Sequence, residues 1–203
     1  YQVGIQTSSL LFPISSLFSS KMKLFINGRK ESFSILKEKI NPNKKYVWFH
    51  VASLGEYEQG LPVIEALRKE QPELGIVLTF FSPSGYEIRK NNTIADVTLY
   101  LPLDTKANVK RFLDLVKPVQ AFFIKYEFWP NYLTELKKRN VPTFLISGIF
   151  RENQLFFKPY GGFYREALKT FTHFFVQNET SKQLLQQLHF NNVIFNYSNY
   201  RFN

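Results

Sequence analysis

The chain has 203 residues, 44% hydrophobic and 21% charged, which is enough to bury a core and excludes a disordered polymer. It has no cysteine, so disulfides and thiolate metal sites are excluded. Lys and Arg number 26 against 16 Asp and Glu, a net charge of +10, and such an excess points to an anionic partner: nucleic acid, an acidic membrane surface or a phosphorylated substrate.

The first 45 residues carry most of that excess. Lys21, Lys23, Arg29, Lys30, Lys37, Lys39, Lys44 and Lys45 stand against Glu31 and Glu38 alone. Before them runs Leu10-Leu11-Phe12-Pro13-Ile14-Ser15-Ser16-Leu17-Phe18. This stretch is interrupted by Pro and Ser and is shorter than the roughly 20 residues of a spanning helix. Apolar residues followed by a basic cluster fit a segment resting on an anionic membrane, and fit equally a buried helix with a solvated basic face. Residues 1–45 are therefore read as a basic, apolar-led, membrane-proximal segment. The 22 Phe, 11 Tyr and 2 Trp exceed what a core alone needs, so some are expected to face an apolar partner.

From residue 46 the pattern alternates. Residues 46–52 read as a strand and 56–70 as a helix stopped by Gln71-Pro72. Strands follow at 75–81, 96–101, 120–126, 143–147, 172–177 and 193–196. Between them the pattern gives a turn and short helix after Ser82-Pro83-Ser84-Gly85, then helices at 106–116, 130–139, 162–170 and 179–188. Repeated β-α units with apolar strands predict a doubly wound parallel sheet, whose ligands sit in the loops after the strands.

Two acids in those loops follow a strand directly. Glu56 comes after Ala52-Ser53-Leu54-Gly55, where Gly55 is expected to allow a tight turn. At a helix start the dipole favours its ionised form, and an ionised carboxylate at the end of a parallel strand suits a general base. An ordinary helix-start acid fits the same residues. Glu127 lies between Tyr126 and Trp129, where it suits a sugar hydroxyl or the orienting of a base; a simple acid before Pro130 also fits. There is no Asp-x-Asp, no Gly-x-Gly-x-x-Gly and no phosphate-cradling Gly-Lys-Ser/Thr loop. His50, His173 and His189 show no metal-ligand spacing, and His50 and His173 read as buried strand residues.

The segments His50-Val51-Ala52-Ser53-Leu54-Gly55-Glu56, Tyr100-Leu101-Pro102-Leu103-Asp104 and Glu127-Phe128-Trp129-Pro130-Asn131 occur in an order that resembles the N-terminal half of the 3-deoxy-D-manno-octulosonic acid (Kdo) transferases of lipopolysaccharide assembly. Residues 24–29, Ser82-Pro83-Ser84-Gly85 and Gln177-Asn178-Glu179 support it. The resemblance implies a Rossmann-like domain, the N-terminal half of a GT-B glycosyltransferase. It implies transfer of Kdo from CMP-Kdo to lipid A precursor, with inversion, at the cytoplasmic face of the bacterial inner membrane, the protein being peripheral or N-terminally anchored. Glu56 matches the catalytic base and Glu127 a second acid that supports it or positions the acceptor. Ser53 and Gly55 are expected to shape the loop around Glu56, and Ser84, Gly85 and Trp129 to contact substrate. No cofactor or metal is expected, because a CMP-sugar carries a single phosphate. The expected partners are lipid A precursor and the anionic membrane, and not nucleic acid, for which no recognised signature is present.

The sequence also departs from the family pattern. Lys125 stands where many relatives carry an acid. Ser198-Asn199-Tyr200-Arg201-Phe202-Asn203 replaces the usual Gly-Asp-Thr-Arg-Phe-Asp of the interdomain crossing. The expected organisation is an acceptor domain over 46–197 and the start of a crossing at 198–203. No donor-binding half follows, so the chain is expected to be inactive alone, as a trimmed, partial or decayed copy. A lipid-binding module or pseudoenzyme of the same fold, or another two-domain sugar transferase or sugar-nucleotide epimerase, are the rival readings.

Overall fold

A computed structural model describes residues 20–195. The apolar residues 10–18 and the 198–203 segment lie outside that range. The chain opens with helix α1 (Ser20–Lys39) and then alternates: β1 (Tyr46–Val51), α2 (Leu54–Glu70), β2 (Gly75–Phe80), α3 (Pro83–Arg89), β3 (Val97–Tyr100), α4 (Lys106–Val116), β4 (Pro118–Ile124), α5 (Pro130–Lys138), β5 (Thr143–Gly148), a 3₁₀ turn (Leu155–Phe157), α6 (Gly162–Leu168), β6 (His173–Val176), α7 (Glu179–Gln187) and β7 (Val193–Ile194). The seven strands form one sheet in the order β3-β2-β1-β4-β5-β6-β7, and every neighbouring pair is parallel. This is the doubly wound, Rossmann-like sheet expected from the alternation.

Strand direction explains the two cores. In β1 the side chains alternate, so Tyr46 and Trp48 enter one apolar cluster and Val47, Phe49 and Val51 the other. Helices α1, α4, α5, α6 and α7 cover the Trp48 face. On the other face α2 supplies Tyr57 and Ile64. Beyond α2 the sheet carries a row of stacked rings: buried Phe49 stacks on half-buried Phe122 at 4.7 Å, and Phe122 on half-buried Phe144 at 5.0 Å.

Order reverses between β1 and β4, with β1 to β3 proceeding one way across the sheet and β4 to β7 the other, so the crevice of the sheet opens at the carboxyl ends of β1 and β4. The helix ends are punctuated as the residue types demand. Thr105 caps α4 by accepting from the Asn108 amide, and Lys117 closes it with a left-handed φ of 46° before Pro118 starts β4. The strand expected at 120–126 thus begins and ends two residues early, because Lys125, at φ 70°, already turns out of the sheet.

Helix α1 falls within the span read as membrane-proximal, and it packs on the domain. Leu36 is buried, Ser32 donates its hydroxyl to the Tyr100 carbonyl at 2.8 Å, and Gly28 lies against the Tyr100 ring where no Cβ would fit. Arg29 is buried too. Its guanidinium donates to the Leu101, Phe81 and Phe25 carbonyls at 3.0, 2.7 and 3.1 Å and lies over the Phe25 ring at 3.5 Å. Burial pulls its pKa down to about 9. One of the eight N-terminal cations is therefore an internal tie between α1 and the strand ends.

Candidate active site

Glu56 stands where β1 gives way to α2. Ala52 and Ser53 link the two elements, with Ser53 extended at φ −137° and ψ 173°. The helix begins at Leu54, so Glu56 lies in its first turn and its carboxylate folds back toward the strand. Oε2 accepts the Ala52 N–H at 2.5 Å. Only 9% of the residue is exposed. Burial is the main reason that its pKa is raised to about 7, and the negative charge of Glu127 adds to the rise. The Ala52 and Ser53 amides and the Lys125 ammonium pull the other way and are outweighed. The helix start was expected to keep this acid ionised; desolvation and a second acid win instead.

Glu127 comes from the loop after β4. Its Oε2 receives the Trp129 indole N–H at 2.7 Å and lies 2.8 Å from His50 Nε2. His50, the next-to-last residue of β1, is fully buried, and its Nδ1 is 2.8 Å from Thr79 Oγ1. Thr79 belongs to β2 and receives the Trp48 indole N–H at 2.8 Å. Phe81 packs on the Trp129 ring at 4.8 Å.

The Glu127 loop is fixed from a second direction. Asp104, buried in the loop after β3, accepts the Asn131 amide at 3.1 Å and the Tyr132 amide at 3.0 Å. The Asn131 side chain donates to the Asp104 carbonyl, and the Tyr132 hydroxyl donates to the Pro102 carbonyl at 3.0 Å. Asp104 thus caps α5 from outside, a service that Trp129 at the N-cap position does not provide.

The structure brings Glu56, Glu127 and Trp129 together at the ends of β1 and β4. Ser53 adjoins Glu56 as the N-cap of α2, and its side chain makes no capping bond. Gly55 differs from the expectation: among the described residues no glycine has a positive φ, and Gly55 is an exposed first-turn helical residue with nothing within 4 Å of where a Cβ would stand. The turn is made before it, by Ala52 and Ser53. Gly85 is buried and allows α3 to approach α2, since a Cβ there would meet Phe80 and the Leu54 amide. Ser84 is exposed, and its amide is capped by Ser82. Trp129 spends its indole N–H on Glu127, leaving its ring as the part open to a ligand.

Sequence reasoning placed His50 correctly as a buried strand residue but missed its partner, 77 positions away. It quoted Asp104 and Arg29 without giving either a role. The signal for Asp104 was its buried partner helix, which begins with Pro130 and has no capping side chain of its own.

Two cavities lie elsewhere. One of about 350 Å³ borders Tyr46, Lys44 and Lys117, and one of about 650 Å³ borders Phe171, His189 and Asn192. Both sit at the amino ends of strands, away from the paired acids. Among the described residues no group of three or more His, Asp or Glu is placed to hold a metal ion, and no helix is long and apolar enough to cross a membrane.

Comparison with known proteins bears on the family and the fold. The family model for 3-deoxy-D-manno-octulosonic-acid transferase (kdotransferase) matches residues 27–203. The 3-deoxy-D-manno-octulosonic acid transferase of Haemophilus influenzae is 30% identical over 135 residues, which cover 66% of this chain and 31% of that protein. The enzyme of the same name from Aquifex aeolicus is 37% identical over 112 residues, covering 55% of this chain and 30% of that protein. The matched region thus spans less than a third of either relative. In fold, the chain is similar to UDP-GlcNAc 2-epimerase from Neisseria meningitidis, with a TM-score of 0.55 and 17% identity over 74% of this chain and 46% of that one.

Proposed function

The chain belongs to the 3-deoxy-D-manno-octulosonic-acid (Kdo) transferase family, and from that premise we propose that it forms the acceptor side of a Kdo transferase in which Glu56 is the general base. An acceptor hydroxyl of lipid A precursor attacks the anomeric carbon of Kdo. The bond from that carbon to the CMP phosphate breaks with inversion, CMP departs, and the hydroxyl proton passes to Glu56. A base works best with a pKa near the operating pH, and the observation that carries the reading is the buried Glu56 carboxylate, raised to about 7 at the carboxyl end of β1 beside a second acid. Glu127 supports it by charge and position. Trp129 offers its ring to the acceptor, and the Ser53 and Ser84 turns border the approach.

The proposed partners follow from the same chemistry. Lipid A precursor is an anionic phosphoglycolipid, and a chain of net charge +10 suits it and the anionic cytoplasmic face of the inner membrane. The donor carries one phosphate, so the transfer asks for no metal.

The test has two stages. Binding to vesicles with and without lipid A precursor is measured for the wild type and Glu56→Gln, and selective binding by both is expected. CMP-Kdo is then added to the chain, alone and supplemented with the donor-binding half of a relative. Transfer by wild type and its loss in Glu56→Gln supports the assignment. Selective binding with no transfer under either condition favours a lipid-binding module. No preference for the lipid sinks the reading.

A further inference from the structure

The hydrogen bonds behind Glu127 form a line that nothing in the proposed chemistry uses directly. It runs from Trp48 to Thr79, from Thr79 to His50 and from His50 to Glu127, with separations of 2.8 Å at each step. Trp48, Thr79 and His50 are fully buried. We infer that His50 is a positioning residue, a neutral imidazole locked in one tautomer by Thr79 so that its Nε2–H pins the Glu127 carboxylate beside Glu56. The inference rests on the reading of Glu56 as base.

The proton count leads to this assignment. Trp48 has a single indole hydrogen and gives it to Thr79 Oγ1. The Thr79 hydroxyl then has one hydrogen of its own, with two acceptors in reach: His50 Nδ1 at 2.8 Å and the Phe49 carbonyl at 3.2 Å. Nδ1 also lies 3.2 Å from the Thr79 carbonyl, which could only accept from it. The shorter 2.8 Å contact to the hydroxyl, and a carboxylate oxygen 2.8 Å from Nε2 that can only accept, make Nδ1 the acceptor and place the ring proton on Nε2. From Nε2 it points at Glu127 Oε2, which also takes the Trp129 hydrogen. Each hydrogen is used once and each points the same way along the line, so the bonds polarise one another. The 3.0 Å between Trp129 Nε1 and His50 Nε2 is then two donors converging on one oxygen. Glu127 cannot turn without giving up the hydrogens of buried His50 and half-buried Trp129.

A fixed Glu127 has a consequence for its neighbour. The charged groups acting on Glu56 are Glu127 and Lys125, opposed in sign, and the amides of Ala52 and Ser53. The amides are backbone, and the Lys125 ammonium lies 5.7 Å from the Tyr126 ring. Glu127 is the one charge in this set that buried side chains hold in place.

The experiment uses the whole 203-residue chain and needs no turnover. Nitrogen-15 NMR of wild-type His50 reads the tautomer, and a proton on Nε2 is expected. A neutral ring protonated on Nδ1 would overturn the inference without any substitution. Carbon-13 carboxyl titration then follows Glu56 in wild type, His50→Leu and His50→Gln. In His50→Leu the freed Glu127 swings away and the Glu56 midpoint falls by about half a pH unit or more. In His50→Gln an amide N–H takes the place of Nε2–H and restores the wild-type value. An unchanged midpoint in folded His50→Leu defeats the proposal. Failure of the transfer assay with these results intact would instead count against Glu56 as base.

Discussion

The two ends of the sheet treat their acids in opposite ways. At the amino end, Asp96 meets Lys44 at 2.7 Å, Arg68 at 2.5 Å and the Ile76 amide at 2.8 Å. Burial pushes its pKa up, but these partners more than reverse the effect and hold it at about 2. At the carboxyl end, Glu56 has backbone amides for direct partners and another acid for a neighbour, and it rises to about 7. A fold concerned with stability alone would neutralise both. On the proposed role of Glu56, the contrast marks where the molecule gives up stability to keep a group able to exchange a proton at neutral pH.

The largest expected effect is on chemistry. With the proposed base at Glu56, Glu56→Gln is expected to lower Kdo transfer by the chain supplemented with a donor-binding half by about 10²–10⁴-fold, the usual contribution of a general base, while melting temperature holds or rises; an equal loss of fold would erase the contrast. The second effect is a pH dependence of stability. The folded Glu56 pKa lies above its unfolded value, so the folded state binds the extra proton between about 4.5 and 7. Stability therefore falls as pH rises through that window, by about 1–2 kcal/mol after allowance for solvent screening. Urea titrations across pH should show the slope in wild type and a flatter line in Glu56→Gln. Third, Asp104→Ala removes the cap of α5 and costs about 1 kcal/mol, with loosened Glu127 resonances in the NMR spectrum. Smallest is Asp96→Asn, at under about 1 kcal/mol because the pair is partly exposed. Here the sign is opposite to that of Glu56. The lowered pKa makes the contribution complete above the unfolded value near 3.8 and lost as pH falls through about 2.

The sheet was legible because β1, β2 and β3 are short apolar runs bounded by Pro, Gly and Ser, and a strand buried on both faces has few other ways to read. Glu56 and Glu127 were legible because each follows such a run at once. Helix α1 was harder to read. Its buried polar residues, Arg29 and Ser32, look solvated in a one-dimensional pattern, and only the carbonyls of Phe81, Tyr100 and Leu101 reveal why they point inward. His50 was half legible. A histidine in a strand announces burial, but an acid 77 residues away cannot be paired with it by spacing. The span of 1–45 as one segment came from an apolar run followed by a cluster of charge, and charge does not distinguish Arg29 from the exposed lysines around it.

The cap that Asp104 places on α5 also bears on how the site comes into being. Asp104 and Tyr132 are 28 residues apart, so this contact cannot form while either loop is folding by itself. Glu127 reaches its final place only after β3, β4 and α5 have assembled, a late, nonlocal step. The site then has little independent tendency to open. Amide hydrogens of Asn131 and Tyr132 should exchange with solvent only as fast as the whole domain unfolds, while the Ser84 amide, exposed and held only by the local Ser82 cap, should exchange much faster.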